Sequence, residues 1–142
     1  MTTVSQPIPQ GFYKAAVRHG DTIYVSGMTP RQDGKMIYAG VVAASSDRAE
    51  CKDAVELATK NALSAIEAKL EQGEIIGLFS QMLVYINSEP GFGEHAKVAD
   101  HASRLLAQRY GDDAIGSRAA VGVSSLPSNA MVEVIVTAEV AR

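Results

Sequence analysis

Residues 118–141, RAAVGVSSLPSNAMVEVIVTAEVA, contain the pattern that decides the fold. Two runs of small and β-branched residues, Arg118 to Ser124 and Met131 to Val140, flank the turn-forming residues 126–129 (LPSN). Alternating apolar residues favour strands, and Pro and Asn favour turns. The stretch therefore predicts two strands joined by a short loop.

The N-terminal part predicts a β-hairpin and a further short strand. Residues 15–27 read AAVRHGDTIYVSG, in which two β-prone runs flank His19-Gly20-Asp21. Asp33-Gly34 indicates another turn, after which residues 36–38 form a third strand.

Two helices are predicted in the middle of the chain, with a strand between them. The first begins at the capping residues 46–47 and has one apolar stripe: Cys51, Val55, Ala58, Ala62, Ile66 and Leu70. It is expected to end near Gly73, and the second runs from about Glu94 to Tyr110, with Gly111 as its stop. The strand covers residues 78–87 and is apolar on both sides, with Leu78, Met82, Val84 and Ile86 on one face and Phe79, Leu83 and Tyr85 on the other.

The order βββαβαββ predicts a single α+β domain over residues 1–142, with one mixed sheet and both helices on one face. Two helices cover only one side of a sheet, yet several strands are apolar on both sides. Oligomerisation through the other face is therefore expected, with side chains such as Phe79, Leu83 or Met131 in the interface.

Composition excludes several classes of function. The 13 Lys and Arg residues against 16 Asp and Glu give a net charge of −3, and no three basic residues are consecutive, so a nucleic-acid partner is not expected. Residues 1–10 lack the apolar core of a secretory signal and no segment is long enough to span a membrane, which favours a cytoplasmic protein without a membrane partner.

The sequence also lacks the usual motifs of metal and cofactor sites. His95 and His101 are six positions apart on a helix and point in different directions, so no metal site is expected. Asp100, His101 and Ser103 are near neighbours on that helix and cannot converge as a hydrolytic triad. Cys51 belongs to the apolar stripe and is interpreted as a packing residue. No cofactor is expected.

Two charged residues stand out on the C-terminal strands. Arg118 is followed by small side chains, and Glu133 shares a strand face with Met131 and Ile135. A partly buried charge needs a partner, a ligand or water. The pattern leaves two interpretations open: a structural ion pair or edge-strand arginine on the one hand, and a ligand site on the other.

Residues 117–142, together with FYKAAVRHGDTIYVSGMTP at residues 12–30, resemble the signatures of the Rid family of proteins (RidA, YjgF and L-PSP). The resemblance implies a chorismate-mutase-like fold, a homotrimer with clefts between subunits, and hydrolysis of reactive 2-imino acids or enamines to 2-keto acids and ammonia. It also implies that Arg118 holds the substrate carboxylate and that Glu133 positions the attacking water. The expected substrate-binding residues are Arg118, Tyr13, Ser26, Gly27 and Phe92.

The chain departs from the deaminases of that family at two positions, and its segments SGMTPR (26–31) and GVSSLPSNAMVEV (122–134) resemble instead a sister branch without an assigned substrate. Ala120 is found where many deaminases have a cysteine, and Ala99 where they tend to have an asparagine. A protein of the same fold that binds or senses a small carboxylated metabolite without turning it over is therefore the alternative. A ribonuclease or translation inhibitor is a third hypothesis, and the acidic balance of the chain argues against it.

Overall fold

The secondary structure is taken from a computed structural model, which describes residues 6–142. In chain order its elements are β1 (Ala16–His19), β2 (Thr22–Val25), β3 (Arg31–Gln32), β4 (Lys35–Met36), α1 (Lys52–Glu67), β5 (Ile75–Asn87), α2 (His95–Tyr110), β6 (Ile115–Val123) and β7 (Val132–Ala141).

One mixed sheet has the strand order β1-β2-β7-β5-β6, with β6 parallel to β5 and the other neighbours antiparallel. Helix α1 packs on β2 and β7, and α2 packs on β5 and β6. Both helices lie on the face where the alternate residues Val132, Val134, Val136 and Ala138 of β7 are fully buried. Burying each valine contributes roughly 1.5–3 kcal/mol, so this face is the core. The predicted α+β arrangement is confirmed.

The opposite face of the sheet, called the open face below, has no helix on it within residues 6–142. Val17, Tyr24 and Val121 lie on this face and are each about half exposed. No helix in the described part of the chain is both long and apolar enough to cross a membrane.

The third predicted strand does not belong to the main sheet. Within the described part of the chain, residues 35–36 pair only with residues 31–32, and this two-stranded ribbon is separate from the main sheet. The tight turn at Asp33-Gly34, where both residues have positive φ, returns the chain on itself after two residues.

The first helix also differs from its predicted span. Asp47 caps a short 3₁₀ turn at residues 48–51 by accepting a hydrogen bond from the amide of Ala49, and α1 begins after it. The helix ends at Glu67, well before Gly73, although the predicted second helix and its stop at Gly111 are correct.

The largest error concerns Phe79, which was predicted on the uncovered face. It is 2% exposed on the helix side, and its ring meets Tyr110 of α2 edge-on at 5.3 Å between centroids. The pairing of β5 with β7 shifts register between Ile76 and Leu78 and again between Phe79 and Gln81. Each such irregularity breaks the alternation of side chains, so a period of two cannot be extended through it.

Candidate functional site

Arg118 lies on the helix side of β6, because it pairs in parallel register with the buried Met82 of β5. Its guanidinium is bound to α2. Nη1 donates to Asp100 Oδ1 at 2.8 Å and to Ser103 Oγ at 2.9 Å, and Nη2 donates to the carbonyl of Ala96 at 3.1 Å. The ion pair that the sequence left open is therefore present.

Asp100 and Ser103 meet on this cation because residues three apart share one side of a helix. The same guanidinium lowers the pKa of Asp100, first through its hydrogen bond. A guanidinium has five N–H donors. Three of them are engaged by residues of the described chain, so two remain for a ligand. The sequence analysis did not identify these partners of Arg118. The i, i+3 spacing of Asp100 and Ser103 on the predicted second helix was a usable signal.

Phe92 lies on the same side of the molecule, in the segment before α2. It is 5% exposed, and its ring meets the imidazole of His95 edge-on at 5.1 Å between centroids and 74° between planes. His95 directly precedes Ala96, whose carbonyl binds Arg118. We call Arg118 and Phe92, with the side chains around them, the arginine half-site.

Glu133 lies on the open face, because it is directly opposite Tyr85 in the pairing of β5 with β7. A Cβ atom at Gly27 would lie 2.8 Å from the carboxyl carbon of Glu133 and 2.9 Å from its Oε2. Residue 27 must therefore lack a side chain for the carboxylate to occupy this position. Within residues 6–142 the carboxylate has no hydrogen bond or ion pair, and burial raises its pKa.

Tyr13 and Ser26 flank Gly27. The hydroxyl of Ser26 donates to the carbonyl of Lys14 at 2.6 Å, and the hydroxyl of half-exposed Tyr13 accepts from the amide of Gln10 at 3.1 Å. Tyr13 and Gly27 also line a cavity of about 330 Å³ that does not reach Arg118 or Glu133. We call Glu133, Gly27, Ser26 and Tyr13 the glutamate half-site.

The six candidate residues are thus divided between two faces of one sheet. Arg118 and Phe92 are on the helix side, whereas Glu133 is on the open face. A single chain does not bring Arg118 and Glu133 together around one small ligand, and their roles stay predictions. Within residues 6–142 no three His, Cys, Asp or Glu side chains form a group that could hold a metal ion.

Comparison with known proteins identifies the family. The family model for Endoribonuclease L-PSP matches residues 3–140. The chain belongs to this family. The resemblance to the Rid, YjgF and L-PSP proteins is thereby confirmed, and it covers nearly the whole sequence.

Individual relatives agree with the family and with the fold. Protein TCP17 of Trypanosoma cruzi is 32% identical over 128 residues, which are 89% of this chain and 79% of that protein. The crystal structure of Atu1372 from Agrobacterium tumefaciens, a protein of unknown function, is 32% identical with a TM-score of 0.84 and covers 96% of this chain and 86% of that one. The YjgF gene product of E. coli, at 17% identity and a TM-score of 0.68 over 98% of both chains, shares the fold.

Proposed function

We propose that this protein hydrolyses small 2-imino acids to 2-keto acids and ammonia, in clefts that form between the subunits of a homotrimer. The carrying observation is Glu133, a half-buried carboxylate that has no cation beside it in the described chain and fits against a glycine. Such a carboxylate is a stronger base than an exposed one, because burial disfavours its charged form. It is suited to orient a water molecule and accept its proton.

Assembly of several chains would supply the second half-site that each cleft needs. The open face has exposed apolar side chains, including Tyr24 and Val121, and no helix of the described residues covers it. Packing the open faces of several chains together buries this surface. If the neighbouring chain also packs along the edge strand β6, the arginine half-site of one chain can approach the glutamate half-site of the next.

The chemistry of such a cleft follows from the two half-sites. Arg118 has two free N–H donors, and a planar fork suits a carboxylate. A substrate held there presents its C=N carbon to a water on Glu133. The water oxygen bonds to that carbon as Glu133 takes one of its protons, and the nitrogen takes the π-electron pair and a proton. The C–N bond then breaks with its electron pair going to nitrogen, which gains a second proton as the hydroxyl loses one, so that ammonia leaves and the keto acid remains. Fixing imine and water together removes most of the positional entropy from the barrier.

A turnover assay tests the proposal. An amino-acid dehydratase generates the imine in the cuvette, and release of keto acid is compared for the parent, Arg118→Ala and Glu133→Gln. Arg118→Ala removes the group that binds the substrate carboxylate. It is expected to cost roughly 2–5 kcal/mol of transition-state stabilisation, which lowers kcat/KM about 30-fold to several thousand-fold. Glu133→Gln is expected to lower kcat while pyruvate, measured by calorimetry, binds as well as before or more tightly.

Mixing the two inactive variants tests whether the site spans two chains. If each cleft takes Arg118 from one subunit and Glu133 from the next, a mixed trimer has one cleft with both native residues. Unfolding and refolding the variants together should then restore activity that neither shows alone. Failure to restore it, or a stable mass of about one 15.0 kDa chain in light scattering, would contradict the shared cleft.

A binding protein without turnover is the second candidate, and one observation favours it. Arg118 already holds the carboxylate of Asp100, so a ligand meets a guanidinium that is partly neutralised. Calorimetric binding of 2-keto acids in the absence of any imine hydrolysis would select this function. Salt-dependent RNA binding would instead select the endoribonuclease activity that the family's name suggests.

A further inference from the structure

A second polar cluster lies beside Arg118, around Gly122. Gly122 is four residues further along β6, so it faces the same side of the sheet. A Cβ atom built on it would lie 2.7 Å from His95 Nε2 and 2.7 Å from Ser88 Oγ. Two polar atoms from different segments therefore converge on the space above this glycine.

The imidazole of His95 is held in place by packing. Within residues 6–142 neither of its ring nitrogens has a hydrogen bond or ion pair, while the buried ring of Phe92 packs edge-on against it. His101, on the same helix, differs because its Nε2 lies 2.9 Å from the carbonyl of Arg48. His95 is thus oriented by packing, and its nitrogens stay available.

His95 and the partners of Arg118 lie on neighbouring turns of α2. Arg118 binds the carbonyl of Ala96, the residue that follows His95. Between Arg118 and Gly122 the strand presents only the methyl group of Ala120 to this side. A ligand whose carboxylate is on Arg118 therefore extends toward His95 over small side chains.

We propose that His95 is a catalytic residue of this cleft and gives its proton to the nitrogen that leaves. This inference rests on the proposed imine hydrolysis. After water has added, the tetrahedral intermediate bears a hydroxyl and an amine on one carbon. The imidazolium N–H protonates the amine, the C–N bond breaks with its electron pair going to nitrogen, and the hydroxyl proton is lost as the C=O bond forms. The products are the keto acid and ammonia, and the imidazole regains a proton from solvent.

Several charged groups lie on the elements packed around His95. They are Arg118 on β6, Glu94, Lys97 and Asp100 on or before the first turns of α2, and Glu89 in the segment that precedes it. A general acid must be protonated to act. The parent's kcat is therefore expected to fall at high pH.

The first test is His95→Gln, with His101→Gln as the matched control on the same helix. His95→Gln should lower kcat about 100-fold or more, change KM less than about threefold, and remove the high-pH fall of kcat. Pyruvate, used as a carboxylate probe, should bind both variants as it binds the parent. His101→Gln should keep the parent's pH profile.

The second test fills the space above the glycine. Gly122→Ala should lower kcat by displacing His95 and Ser88, whereas Gly93→Ala, whose new Cβ has nothing within 4 Å, should not. Neither glycine has the positive φ that would strain an alanine. Turnover by Gly122→Ala at the parent's rate would contradict the cluster's role.

A direct probe separates this inference from the function on which it rests. In the parent, pyruvate should shift the NMR resonances of the His95 imidazole. A parent that releases no keto acid but shows this shift refutes the deaminase and retains His95 as a ligand contact. Unchanged resonances on binding, or normal turnover by His95→Gln, would overturn the assignment of His95 itself.

Discussion

Gly27→Ala tests the glutamate half-site with the smallest possible change. The new Cβ would lie 2.8 Å from the carboxyl carbon of Glu133, whereas ordinary contact begins at 3.4 Å, so the carboxyl group must move by about 0.6 Å. Because it is the end of a flexible side chain, the move costs roughly 0.5–1.5 kcal/mol of stability. Catalysis is less tolerant, since a misplacement of about 1 Å can reduce the rate about 100-fold.

Gly27→Ala is therefore expected to lower activity much more than stability. Thermal unfolding should shift by only about 2–5 °C, while kcat/KM for imine hydrolysis falls roughly 10- to 100-fold. Gly93→Ala is the control, because its added methyl group meets open space. The reasoning about Glu133 would be refuted by a folded Gly27→Ala protein that turns over at the parent's rate.

Three further substitutions probe the other features. Glu133→Gln should raise the free energy of unfolding at neutral pH, because burial raises the pKa of this carboxyl and its ionised form opposes folding. In urea titrations this gain in stability should disappear below the unfolded-state pKa, where the carboxyl of the parent is protonated in both the folded and the unfolded state. Phe79→Ala should cost about 3–5 kcal/mol in the same titrations yet leave the mass in light scattering unchanged, since Phe79 belongs to the helix-side core. Cys51→Ala should cost about 1 kcal/mol and keep full activity, because Cys51 is fully buried and burial raises its thiol pKa to about 11; loss of turnover in the folded variant would show otherwise.

The parts of the fold that could be predicted are those where local signals agree. Gly111 follows α2 with positive φ, and the spacing of apolar residues before it defines the helix without any tertiary information. Phe79 could not be placed, because the irregularities in β5 arise from its pairing with β7, which lies more than fifty residues further along the chain. Periodicity describes one strand at a time and contains no information about its partner.

The candidate site could be predicted in its residue types but not in its geometry. Arg118 and Glu133 stand out in the sequence because a charge among small or apolar neighbours needs an explanation. Which face each residue lies on depends on its register against β5, and that register places them on opposite sides. His95 was considered only as a metal ligand, because the sequence does not show that its imidazole lies against Gly122.

The position of β6 at the edge of the sheet affects more than the placement of Arg118. Among the described residues no strand pairs with its outer side, so a row of backbone amides and carbonyls faces outward along nine residues that are mostly small. Many proteins protect such an edge with a charged side chain, but here the one charge of the strand is turned inward onto α2. A chain separated from its neighbours would therefore present a template for unwanted strand pairing, and covering this edge during assembly would protect the protein from aggregation.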